Sequence, residues 1–133
     1  MIELCKSREF VLTLNPIEVE ERVPAVSFDV FAEMNLLYQK ARVEIQGCWF
    51  KNDTLNDFES QLGDLIKQES GNIVLANIKN RPILTIRKVG KNINFIIEAA
   101  DTMDLGKAKI EVPGYSSELE EILDRIKNYP KSW

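Results

Sequence analysis

Apolar residues recur at every second position in the first part of the chain and at every third or fourth from residue 52. From residue 73 they alternate again, and the last segment returns to helical spacing. Residues 9–14, rich in Phe, Val and Leu, predict a strand closed by a turn at Asn15-Pro16. Residues 17–24 carry Glu18, Glu20 and Glu21 and read as an exposed connection. From Ala25 the period is two. Val26, Phe28, Val30, Ala32 and Met34 share one face, Ser27, Asp29 and Glu33 the other, and Phe31 interrupts the polar face. After a turn at Tyr38-Gln39-Lys40, a third strand alternates Val43, Ile45, Gly47 and Trp49 with Arg42, Glu44 and Gln46. Gly47 within it marks a bulge or a close approach.

At Asn52 the spacing becomes helical, with Leu55, Phe58, Leu62, Leu65 and Ile66 on one face. Asp53 or Thr54 is placed to cap this helix and Ser70-Gly71 to end it, while Gly63 in its interior weakens it. Four strands follow, over residues 73–78, 83–89, 93–98 and 107–112, with turns at Asn80-Arg81-Pro82 and Gly90-Lys91-Asn92. A final helix carries Leu119, Ile122, Leu123 and Ile126 as its stripe, Ser117 as cap and Glu120 in capping-box position. Asn128 and Pro130 stop it.

The order β-β-β-α-β-β-β-β-α predicts a single α+β domain over residues 1–133. Its sheet is mainly antiparallel, of about six to seven strands, and two amphipathic helices pack on one face. No internal sequence repeat or linker divides the chain. A length of 133 residues with 44% hydrophobic and 29% charged residues is that of an ordinary globular domain. No apolar run approaches the ~20 residues that cross a bilayer, and the first residues have no signal-peptide core. The expectation is a cytoplasmic protein without a membrane partner. Cys5 and Cys48 are too far apart for metal spacing; Cys48, beside Trp49, reads as a small core hydrophobe.

Charge adds a second pattern. The chain carries 17 Lys and Arg against 21 Asp and Glu, a net charge of −4. Residues 1–70 hold 7 cations and 13 acids, residues 71–133 hold 10 and 8, and no acid occurs from Ser70 to Ile97. An acidic chain is poorly suited to nucleic acid, whose affinity rests on neutralised phosphate, and well suited to a basic protein.

The chain has no histidine. That removes the usual general base near neutral pH, the usual zinc ligand and the Ser-His and Cys-His pairs. Neither GxxxxGK[ST] nor GxGxxG is present. Asp53, Asp57 and Asp64 read as helix-dipole and solvated acids, and Asp101 and Asp104 as loop acids with too few oxygens for calcium. Arg87, Lys88 and Lys91 read as charges that protect an exposed hairpin. No catalytic residue, metal ligand or cofactor site is expected, and the chain reads as a binding protein.

A strand ending in Cys48-Trp49-Phe50 leads into the helix segment from Leu55-Asn56-Asp57-Phe58 to Gln61-Leu62. Gly71-Asn72-Ile73-Val74-Leu75, a hairpin with Leu84-Thr85-Ile86 and a closing helix running to Tyr129-Pro130 follow. Over about residues 42–130 this order resembles the immunity proteins of the WapI type, which protect bacteria against toxins delivered by neighbouring cells. The resemblance implies a cytosolic inhibitor of a cognate toxin domain, often a nuclease. An acidic surface would serve such an inhibitor, because a nuclease presents basic groups. The residues expected to face that partner are Glu18, Glu20, Glu21, Glu118, Glu121 and Asp124. The alternative is a small-molecule carrier with an apolar cavity between sheet and helix, lined by Phe28, Phe31, Trp49 and Phe95. Paired carboxylates acting as an enzyme form a third and weaker reading.

Overall fold

In a computed structural model the structure describes residues 1–100, 105–131 and 133. Eight strands and two helices follow in the order β1 (Ile2–Lys6), β2 (Phe10–Glu20), β3 (Ala25–Asn35), β4 (Lys40–Lys51), α1 (Asn52–Lys67), β5 (Ser70–Ala76), β6 (Pro82–Val89), β7 (Asn92–Ala100), β8 (Lys107–Tyr115) and α2 (Glu118–Asn128). The α+β class and the antiparallel pairing agree with the sequence reading, but the single sheet does not. Strands β1-β2-β3-β4 form one four-stranded meander and β5-β6-β7-β8 another. The element order ββββα thus occurs twice, although the sequence carries no repeat.

Neither meander buries its apolar face on its own helix alone. Helix α1 leaves β4 and packs chiefly on β5, the first strand of the second sheet, while α2 packs on β1, the first strand of the first. The two helices also pack on each other, and Phe10 of β2 meets Phe95 of β7 with ring centroids 5.5 Å apart. Phe28, Phe50, Leu62, Leu65, Ile86, Ile97 and Leu119 are all buried in one contiguous cluster. Burying each contributes roughly 1.5–3 kcal/mol against exposure.

Several boundaries shift for identifiable reasons. Strand β1 escapes the alternation rule because the register slips between Glu3 and Cys5, which leaves Leu4 and Cys5 both buried. Asn15-Pro16 does not close β2. The β1 ladder ends at the Ile2–Leu14 pair, so β2 has no neighbour on that side at Pro16, and a register shift between Pro16 and Glu18 absorbs the missing donor. Pro113 likewise sits inside β8, an edge strand. Gly47 does mark a bulge. Two residues of β4 oppose Asp29, Gly47 adopts φ 62°, and its N–H donates to Asp29 Oδ1 at 3.0 Å.

The expected helix caps are not formed. Helix α1 starts at Asn52, before Thr54, and its cap position, Lys51, makes no side-chain bond. Ser117 does not cap α2 through its side chain; instead Glu118 Oε2 accepts the Tyr115 N–H at 2.9 Å. Ser70 and Gly71 lie in β5. The end of α1 is held by Lys88 of β6, whose buried Nζ donates to the carbonyls of Leu65 (3.0 Å) and Ile66 (3.1 Å). A cation there also meets the negative end of the helix dipole. Lys88 is therefore a core fastener and not one of the exposed hairpin charges.

Gly63 faces α2, and a Cβ on it would reach only Leu123 Cδ2, at an ordinary 3.9 Å. Gly63→Ala should thus raise stability by about 0.5–1 kcal/mol in urea unfolding, since the helix gains a better former without a clash. Lys88→Met should lower it by about 1.5–3 kcal/mol, the usual worth of hydrogen bonds from a charged donor. A Lys88→Met variant as stable as the parent would remove Lys88 from the packing of α1.

Candidate functional site

Glu18 and Glu20 project from the part of β2 that overhangs β1. Glu18 stands opposite Ser27 and Glu20 opposite Ala25 on β3, and Glu21 begins the turn between the strands. Glu20 Oε1 accepts the Arg22 N–H at 2.9 Å, which stiffens the turn. Ile17, Val19 and Val23 lie exposed among these acids. The overhang therefore presents an open backbone edge, three apolar side chains and three carboxylates.

Glu118, Glu121 and Asp124 lie on α2 in a different setting. Glu118 is half-buried and holds the Tyr115 amide. Glu121 stands 4.0 Å from Arg125, whose other guanidinium nitrogen donates to the Leu4 carbonyl at 3.0 Å. Asp124 is exposed. Glu118, Glu121, Glu9, Cys5 and Arg125 line one cleft of about 370 Å³ beside Phe10. That cleft adjoins the first residue of β2, whereas Glu20 is its last. Ten residues of extended chain separate the ends by roughly 30 Å. The six acids thus form two separate groups, and those on α2 are partly engaged in holding the fold.

The other sequence candidates are dispersed. Asp53, Asp57 and Asp64 are exposed along α1. Asp101 and Asp104 lie outside the described residues. Arg87 and Lys91 are exposed, unlike Lys88. Among the described residues no group of three His, Cys, Asp or Glu is placed to hold a metal, and no helix is long and apolar enough to cross a membrane.

The four aromatics assigned to a cavity do not share one. Phe28 packs edge-on to Phe50 and Trp133 at 5.8 and 5.6 Å, and Phe95 packs against Phe10. Phe31 lies on the outer face of the first sheet, with the Arg42 guanidinium 5.0 Å above its ring. Phe95 borders the cleft beside Phe10, Phe31 a separate concavity of about 470 Å³ on the outer face, and Trp49 an open groove of about 700 Å³ between β4 and one end of the second sheet. Sequence reasoning did not locate this groove. Its signal was the acid-free stretch from Ser70 to Ile97, since Lys79 and Ile83 from that stretch come to its walls.

Neither thiol is activated. Burial pushes Cys5 up to about 12, with the Glu118 charge adding to the shift and Arg125 opposing it. Burial alone pushes Cys48 up to about 11. Both should resist Ellman's reagent at pH 8 in the folded protein and react on unfolding; fast reaction of either in the native state would contradict its packing. The folded chain keeps these thiols protonated where the unfolded chain, titrating near 9.0, loses its protons. Their contribution to stability is therefore complete below about pH 9 and is lost as the pH rises towards 11–12.

No protein-family model, curated protein or solved structure matches the chain.

Proposed function

We propose that this chain is a non-catalytic binding protein that neutralises a basic protein domain, in the manner of the WapI-type immunity proteins it resembles. The observation that supports this most directly is the overhang of β2. Glu18 and Glu20 alternate there with exposed Ile17 and Val19 along an edge that β1 leaves unpaired, and Glu21, Arg22 and Val23 lie exposed in the turn beyond it. Apolar side chains desolvate on contact, carboxylates select a basic partner and speed its approach, and the open edge supplies backbone groups for pairing. Charges on an exposed edge also discourage self-association. The exposed aliphatic residues are what protection alone would omit.

Its partner would be a cognate toxin domain, a nuclease being one chemistry that presents the required cations. Of the six acids expected at the interface, Glu18, Glu20 and Glu21 carry the reading. Glu121 and Asp124 belong to a second surface, and Glu118 to the fold.

The reading is tested by co-expressing the chain with the C-terminal domain of any large secreted protein encoded beside its gene, and scoring growth. Rescue is expected to fall by at least about tenfold when Glu18, Glu20 and Glu21 become Lys, and to persist when Glu121 and Asp124 do. Absence of protection by the unaltered chain, or protection indifferent to the hairpin charges, would refute it.

A further inference from the structure

A groove of about 700 Å³ lies on the edge of the first sheet opposite the acidic hairpin edge, and its rim has the opposite charge. Strand β4 closes the first sheet and pairs only with β3. Among the described residues, the one backbone bond reaching its outer edge is from the Ile78 N–H to the Trp49 carbonyl, at 2.8 Å. From Arg42 to Cys48 that edge runs along the groove of about 700 Å³. Val43, Ile45, Ile83, Ala99 and Ala108 supply an apolar lining. The alanines matter, because Ala99 and Ala108 are paired across β7 and β8 and leave room where larger residues would close the space between the sheets.

The rim is basic. Arg42, Lys79, Arg81, Lys107 and Lys109 border the groove and its continuation towards β6, against the carboxylates of Glu44 and Glu98. Among the described residues, five cations to two acids border it, in a chain whose net charge is −4. Asp101 and Asp104 do not enter this count. Arg42 is engaged by Glu44 at 3.3 Å and by Phe31, whereas Lys79, Lys107 and Lys109 are exposed on the far wall. Where charges protect a sheet edge they stand on the edge strand itself. Lys107 stands on β8, itself an edge strand, and with Lys79, which lies outside any strand, it also borders the groove across from β4.

We propose that this groove receives an extended acidic segment of a partner protein, which adds to β4 as a further strand. Main-chain pairing with β4 supplies affinity. Alternate side chains enter the apolar lining, and the outward carboxylates meet Lys79, Lys107 and Lys109. A bulge at Gly47 bends the strand at one end of this stretch and limits the added pairing to residues before it. The open backbone edge and the apolar lining favour a peptide over nucleic acid, which needs phosphate contacts and stacking surfaces.

The test uses the full chain labelled with 15N and an acetylated, amidated peptide of alternating Glu and Val. Chemical-shift changes are expected at the amides of residues 42–48 and at the Trp49 indole. Affinity should fall with salt and drop at least about tenfold in a Lys79→Glu, Lys107→Glu variant. Both lysines are exposed, so the fold should survive, as circular dichroism will report. A peptide N-methylated at alternate residues should bind at least about tenfold more weakly, because it cannot donate to the β4 edge. Glu18→Lys with Glu20→Lys should leave binding unchanged, which separates this site from the hairpin edge. The proposal is overturned if no shift appears at millimolar peptide or if the N-methylated peptide binds equally. It is equally overturned if an oligodeoxythymidylate moves the same amides in place of the peptide.

Discussion

Each meander has a helix behind it, yet each helix finds much of its apolar contact on the first strand of the other meander. Every other feature depends on that exchange. Helix α1 joins β4 to β5 and α2 closes back on β1, so the two sheets share one buried cluster. A four-stranded meander with a single helix has a small core of its own, and sharing enlarges the apolar area that each unit buries. Lys88 belongs to the same arrangement. Its ammonium, buried at the end of α1, ties that helix to the second strand of the second sheet through two carbonyls. The C-terminal residues complete it, with Trp133 stacked on Tyr129 and set edge-on to Phe28, and Lys131 paired with Glu59 of α1 at 3.1 Å.

The exchange decides which strand edges remain open. Strands β1 and β5 lie under helices, and Arg125 of α2 covers a carbonyl of β1. The last strands, β4 and β8, receive no such cover along their first halves, and β2 is bare beyond the short β1. An unpaired edge either is protected or recruits a partner. The chain treats its two main openings differently. The β2 overhang is acidic with aliphatic residues between the acids, and the β4 groove is apolar within and basic at its rim. Two surfaces of opposite sign are consistent with the binding function proposed above.

Side-chain period and turn residues in the sequence located both helices, seven of the eight strands approximately, the bulge at Gly47 and the hairpin at Gly90, because these are local properties of the backbone. Residues 28–34 kept their alternation as β3, although Ser27, expected on the polar face, is buried with Ala25 and Val26, and the stripe from Leu119 to Ile126 kept its helical face. Proline misled at Pro16, since its missing donor costs nothing on an edge, and which strands are edges is not a local property. Capping residues misled in the same way, since the end of α1 is held by Lys88 from a neighbouring strand and Glu118 binds the backbone of β8 just before α2.

The sequence by itself determined the class of the fold, the lack of histidine-based chemistry and the uneven spread of charge. Those follow from composition and from spacing within one element. Tertiary structure alone decided that the strands divide into two sheets and that Glu18 and Glu118 lie on different surfaces. It also decided that Lys79 and Lys107, twenty-eight positions apart in the sequence, face the same groove across from β4. Such placements depend on contacts between residues distant in the chain, and no periodicity encodes them.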